Sequence, residues 1–222
     1  MLRHLNVVSN TRSIVRYLEL SAEDRVFVVL PFHYVYGKSL LNTHVAVGGS
    51  VVIENRFLYP QEALDHLERE EATGFSGVPS TFAILLNKSN LASRALPRLR
   101  YVTQAGGAMA PELTRRLMEA LPGKKIFVMY GATEASARLS YLDPAELPRK
   151  VGSIGKAIPN VELRDSNGVS QRTGWPVETG DAAVIEGYTL TYSGVHQVIV
   201  MRDRAQDGRT TGDYEVVVTL AQ

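Results

Sequence analysis

The chain has 222 residues, 45% of them hydrophobic and 21% charged, so it can bury a core of ordinary globular proportions. Lys+Arg 24 against Asp+Glu 23 leaves a formal charge of +1, which excludes the basic footprint of a nucleic-acid binder and the long acidic tail of a charged partner. There is no cysteine, so disulfides, thiolate metal sites and a cysteine nucleophile are ruled out together.

Leu5, Val8, Ile14 and Leu18 recur at helical spacing, with Arg12 and Arg16 outside, and predict an amphipathic helix over residues 5–20. Residues 25–30 read as a buried strand, stopped by Pro31-Phe32-His33-Tyr34-Val35-Tyr36-Gly37. A helix over 38–46 follows, closed by Gly48-Gly49, and then a strand over 50–54. Pro60 suits a helix first turn, and Leu64 and Leu67 form an apolar stripe among Glu62, Asp65, Glu68 and Arg69, with Gly74 closing the element. Strand, helix, strand, helix argues for a parallel sheet with crossover helices.

In residues 73–81, Gly77 and Pro79 fix a tight turn and Ser80 is placed to cap a helix over 82–86. The strand predicted over 99–104 runs into Ala105-Gly106-Gly107-Ala108, where the two glycines let the backbone approach a flat ligand. Pro111 then starts a helix through residue 121 on Leu113, Leu117 and Leu121. Ile126 to Tyr130 read as a buried strand ending in Gly131. Beyond it stand Ala132, Thr133, Glu134 and Ala135, so one strand exit offers a ring, a hydroxyl and a carboxylate. The carboxyl end of such a strand is where ligands bind in an open α/β sheet. Thr133 and Glu134 suit a phosphate held with Mg²⁺, a cation that takes oxygen ligands and needs few protein carboxylates.

After residue 150 Val, Thr and Tyr become frequent. A hairpin signal falls at 165–168 and strands are predicted at 182–185, 197–201 and 214–219. TGD triplets end at Asp181 and Asp213.

The tetrad Tyr130, Gly131, Thr133, Glu134 closely resembles the YG-x-TE motif of the adenylate-forming superfamily, which includes acyl-CoA synthetases and fatty-acid AMP ligases. Residues 31–37 resemble its His-containing turn, residues 77–80 its GVPS/T turn, Gly106-Gly107-Ala108 its GGA loop, and residues 150–159 its K-x-GSIG-x-x-x-P passage. The resemblance is looser after residue 164, where 180–187 compares with a GEL strand and 207–213 with DGW-x-x-TGD lacking the tryptophan. It implies an α/β subdomain over 1–150 and a β-rich, barrel-like subdomain over 151–222, together a fragment of an acyl-CoA synthetase-like fold.

The implied activity is ATP-dependent carboxylic-acid:AMP ligation, followed by thioester formation on CoA or an acyl carrier protein. The implied cofactors are ATP and Mg²⁺. The implied roles are His33 beside the substrate carboxylate, Thr133 on phosphate and Glu134 on the metal. Gly106, Gly107, Ala108, Tyr130, Gly131 and Ala132 would contact the nucleotide, and Asp213, with Asp181 as the alternative, the ribose hydroxyls. No acid stands at Phe32-His33-Tyr34, where amino-acid adenylation domains keep an aspartate, so the expected acid has no α-amino group. The glycine-rich phosphate loop is expected just before Met1, and the hinge and lysine-bearing domain after Gln222. A truncated remnant that only binds adenosine nucleotide or a partner is the alternative. Apolar runs such as Val26 to Leu30 are too short to span a bilayer and Met1 to Asn6 lacks a signal-peptide core, so the cytoplasm is the expected location.

Overall fold

Five short strands, four of them rich in β-branched or aromatic residues and the first four in sequence each followed by a helix, build the parallel part of a sheet. The computed structural model describes residues 2–159, 161–164 and 197–199. The parallel strands are β1 (Arg25–Val28), β2 (Ser50–Ile53), β3 (Gly74–Gly77), β4 (Tyr101–Gln104) and β5 (Lys125–Tyr130), in spatial order β2-β1-β3-β4-β5. The antiparallel strands β6 (Ser140–Leu142) and β7 (Lys156–Ala157) extend this to a seven-stranded sheet.

Strand alternation divides the core between the two faces. Phe27, Val102 and Ile126 point to one side, where α3 (Pro60–Arg69), α4 (Pro79–Lys88) and α5 (Pro111–Ala120) supply Leu64, Phe82, Leu85 and Leu117. Val26, Val28, Tyr101, Phe127 and Met129 point to the other, where α1 (His4–Leu18) and α2 (Val35–Val47) supply Ile14, Leu18, Tyr36 and Leu40. The result is a three-layer α/β sandwich with crossover helices on both faces. A separate pair, β8 (Glu162–Arg164) and β9 (Gln197–Ile199), is antiparallel. The hairpin at 165–168, the strands at 182–185 and 214–219, and both TGD aspartates lie outside the described residues.

Residues 31–37 do stop β1, and α2 starts at Val35, three residues before the expected start, with Gly37 in its first turn, where a side chain would overlap the Pro31 carbonyl oxygen. Two readings of punctuation residues are corrected. Gly74 does not end α3. It opens β3, where the Tyr101 ring occupies the space a side chain would need. Ser80 is not a cap either. Pro79, whose fixed φ and missing N–H suit a first helical position, starts α4 one residue earlier, and Val78 precedes it without a side-chain cap.

Candidate active site

Because β1, β3, β4 and β5 are adjacent and parallel, their carboxyl ends open on the same edge of the sheet. That edge therefore gathers the turn carrying His33, the Val78-Pro79 turn, the Gly106-Gly107-Ala108 loop and the Tyr130–Glu134 loop. Gly106 adopts φ +83 and lies against Tyr34 and Val78, so a side chain there would overlap the Tyr34 hydroxyl. Gly107 sits beside Pro79, and the buried Gln104 donates from Nε2 to the Gly107 carbonyl at 2.8 Å. Side chains from the β1 and β3 exits thus pack against the loop after β4, on which Gly106, Gly107 and Ala108 are exposed.

The β5 exit is shaped by Gly131, where any Cβ would overlap the Ala137 carbonyl oxygen. The chain doubles back there, and Thr133–Ala135 form a single 3₁₀ turn between two close backbone passes. Both Thr133 and Glu134 are exposed on this turn. Tyr130 is half-buried against the cluster of Leu139, Ala157 and Ile158. Burial, and secondarily the Glu134 carboxylate, raises its phenol pKa and keeps it a neutral hydrogen-bonding ring. His33 is exposed at the neighbouring turn.

Among the described residues no group of three or more His, Asp or Glu is placed to hold a metal. The donor set suits Mg²⁺ bound with phosphates, which needs one or two protein carboxylates rather than an all-protein cage. Glu134 is exposed and, among the described residues, engaged in no ion pair.

A buried polar network lies on the α2 face just behind this edge. The Tyr36 hydroxyl donates to the Thr103 carbonyl at 2.9 Å and shares a 2.7 Å hydrogen bond with Thr103 Oγ1, which in turn lies 2.7 Å from Ser76 Oγ. Over the Tyr36 ring, 4.4 Å from its centroid, sits the guanidinium of Arg138, a residue only 2% exposed. Asn10 clamps the backbone of Arg138, donating to its carbonyl at 2.7 Å and accepting from its N–H at 3.2 Å.

Of the sequence-predicted residues, His33, Gly106, Gly107, Ala108, Tyr130, Gly131, Ala132, Thr133 and Glu134 lie at this one edge. Asp213 and Asp181 lie outside the described residues. Tyr34, Gln104 and Arg138 were not singled out by the sequence. Gln104, next to the double glycine, was the one with a local signal.

An open parallel sheet with a glycine loop and a YG-x-TE turn at adjacent strand exits is the α/β architecture of the adenylate-forming class. The family model described as AMP-binding enzyme matches residues 1–180, and the chain belongs to that family. The medium-chain acyl-CoA ligase ACSF2, mitochondrial, of Rattus norvegicus is 30% identical over 75% of this chain and 28% of its own length. The indoleacetate–CoA ligase of Aromatoleum aromaticum is 31% identical over 66% of this chain and 28% of its own. Among solved structures, the O-succinylbenzoate coenzyme A synthetase (MenE) from Bacillus subtilis, in complex with ATP and magnesium ion, superposes with a TM-score of 0.65. That match is at 28% identity and covers 78% of this chain and 35% of that one. The chain thus spans about a third or less of the length of these relatives.

Proposed function

We propose that this chain carries the adenosine-nucleotide site of an ATP-dependent carboxylic-acid:AMP ligase. The observation that carries the reading is the meeting of three glycine-bearing or exposed loops, after β1, β4 and β5, at one edge of a parallel sheet. In the reaction a carboxylate oxygen attacks the α-phosphorus of ATP and pyrophosphate leaves. A thiol sulfur then attacks the acyl carbonyl of the adenylate and AMP leaves.

Catalysis in such a site is mainly positioning and electrostatics. Gly106, Gly107 and Ala108 offer a flat backbone surface to the adenine, with Tyr130, Gly131 and Ala132 on its other flank. The Thr133 hydroxyl donates to a phosphate oxygen. Glu134 would hold Mg²⁺, which would offset the charge of the phosphates. The His33 imidazole hydrogen-bonds the carboxylate as it approaches the α-phosphate. Asp213, or in its place Asp181, accepts from both ribose hydroxyls, a task suited to the two oxygens of a carboxylate. The reading keeps residues 1–150 as the nucleotide-binding unit and 151–222 as the β-rich unit bearing the ribose contact.

The names of the relatives favour CoA over a carrier protein as the thiol acceptor. The absence of an acid at residues 32–34 favours a carboxylic acid without an α-amino group. The reading needs no membrane span, no helix of the described residues is long and apolar enough to provide one, and we place the protein in the cytoplasm. ATP–pyrophosphate exchange with a panel of carboxylic and amino acids, run beside AMP binding, is the test. Acid-dependent exchange supports a ligase, and binding without exchange leaves a nucleotide-binding remnant. Preferential exchange with an amino acid contradicts the substrate assignment.

A further inference from the structure

Asn10 stands in the interior of α1, where asparagine is a weak helix former. Its side chain is buried and reaches Arg138, 128 residues further along the chain. Nδ2 donates to the Arg138 carbonyl at 2.7 Å and Oδ1 accepts from the Arg138 N–H at 3.2 Å, so both halves of the amide are used and together they fix its orientation. An amide that meets both backbone groups of one residue reproduces the pairing offered by a neighbouring strand.

Arg138 closes the loop that leaves β5 at Tyr130 and carries Thr133 and Glu134. The strand ladder holds this loop only at its mouth, where the Leu139 N–H donates to the Tyr130 carbonyl at 2.9 Å and Tyr130 pairs with Ser140. Within the loop Ser136 and Ala137 take φ +65 and +109, conformations that non-glycine residues rarely adopt. Two such residues in succession persist only where surrounding contacts hold them. Ala137 is wedged against Gly131, and Arg138 beside it is gripped on its side chain by the Tyr36 ring and the Tyr17 hydroxyl and on its backbone by Asn10. The aromatic contacts act at the far end of a long side chain. The Asn10 amide holds the main chain itself, and so fixes where the 3₁₀ turn of Thr133–Ala135 stands.

We infer that Asn10 is a positioning residue of the nucleotide site, acting through the backbone of Arg138 to set Thr133 at the phosphates and Glu134 at the metal. This rests on the acid:AMP ligase reading and adds α1 to the elements that build its site. Coupling is reciprocal, so engaging Glu134 through Mg·ATP must in turn tighten the contact between Asn10 and Arg138, whereas AMP without the metal leaves Glu134 unengaged.

The test is calorimetric binding of ATP to the whole chain with and without Mg²⁺, beside binding of AMP. In the unaltered chain Mg²⁺ should tighten ATP about tenfold, and in Asn10→Ala that gain should fall to about twofold or less, with AMP affinity changed by no more than about twofold. Ser13→Ala, which removes only a hydrogen bond to the Ser9 carbonyl on the same helix, should keep the gain. Should Asn10→Ala fail to fold, hydrogen exchange in the unaltered chain decides, because the Arg138 amide should exchange at least about threefold more slowly with Mg·ATP bound than with AMP. A full Mg²⁺ gain in folded Asn10→Ala, equal losses of AMP and Mg·ATP affinity, an Arg138 amide that exchanges alike with both ligands, or an unaltered chain that binds AMP but gains nothing from Mg²⁺ overturns the assignment of Asn10. Failure of the unaltered chain to bind AMP overturns the nucleotide reading, and this inference with it.

Discussion

At Gly131 the chain passes so close to Ala137 that no side chain fits, while Gly123, with φ +74, has nothing within 4 Å of where a Cβ would stand. The two positions therefore separate steric closure of the site from ordinary backbone strain. Gly131→Ala must push the 130–138 loop open, and we expect it to weaken ATP binding at least a hundredfold, about 3 kcal/mol. Gly123→Ala should lower stability by about 1 kcal/mol, the strain of a left-handed residue, and leave nucleotide affinity unchanged. Calorimetric titration and urea unfolding of the two variants measure both quantities. Glu134 gives a second separation, because it contacts the nucleotide only through the metal in the proposed reading. Glu134→Gln should reduce Mg·ATP affinity roughly tenfold, about 1.4 kcal/mol, with metal-free AMP binding intact. Equal losses for both ligands would place Glu134 on the nucleotide itself.

At the scale of the elements, two buried polar groups tie helices to strands. Asp24, just before β1, is 3% exposed and accepts from Thr73 Oγ1 at 2.8 Å, the Ser21 N–H at 2.9 Å and Arg100 Nη2 at 2.8 Å. Burial alone would raise its pKa, but these hydrogen bonds and the Arg100 charge outweigh it and hold the carboxyl below its ordinary value. Its loss unlinks the starts of β1, β3 and β4. Asp24→Ala should cost about 2 to 4 kcal/mol in urea unfolding, below the value for a fully buried pair because Arg100 is one-third exposed. His44 on α2 is fully buried, with Nδ1 2.9 Å from the Leu40 carbonyl and Nε2 3.1 Å from the Tyr101 hydroxyl. A carbonyl only accepts, so Nδ1 carries the proton and Tyr101 donates to Nε2.

Burial lowers the His44 pKa, so between its folded value and the unfolded value near 6.5 only the unfolded chain takes up the proton. Stability should then fall as pH drops through about 6.5, and the loss should level off below the folded pKa. His44→Gln should flatten that part of the pH profile of the urea midpoint. An unchanged profile would mean that the imidazole is not held neutral.

Across the whole molecule, what the sequence made legible and what it hid have a physical division. The inner strands β1 and β5 were readable because both faces of each are largely covered, so Val26 to Leu30 and Ile126 to Tyr130 are continuous apolar runs. The strand exits were readable for the same reason, since a strand must stop somewhere and Gly106 and Gly131 mark where. The glycine at 74 misled because a missing side chain serves close packing as readily as a turn, and the Tyr101 ring that needs the room is distant in sequence and belongs to another strand. Arg138 was hidden because an arginine in sequence reads as surface, and only tertiary placement over Tyr36 reveals it as core.

Equilibrium binding of AMP and of Mg·ATP to this chain tests the account at that largest scale, because loops from three strands must form one surface for either to bind. The account predicts saturable binding with one nucleotide per chain, retained in Gly123→Ala and lost in Gly131→Ala. A folded chain that shows no saturable binding of either nucleotide would contradict it.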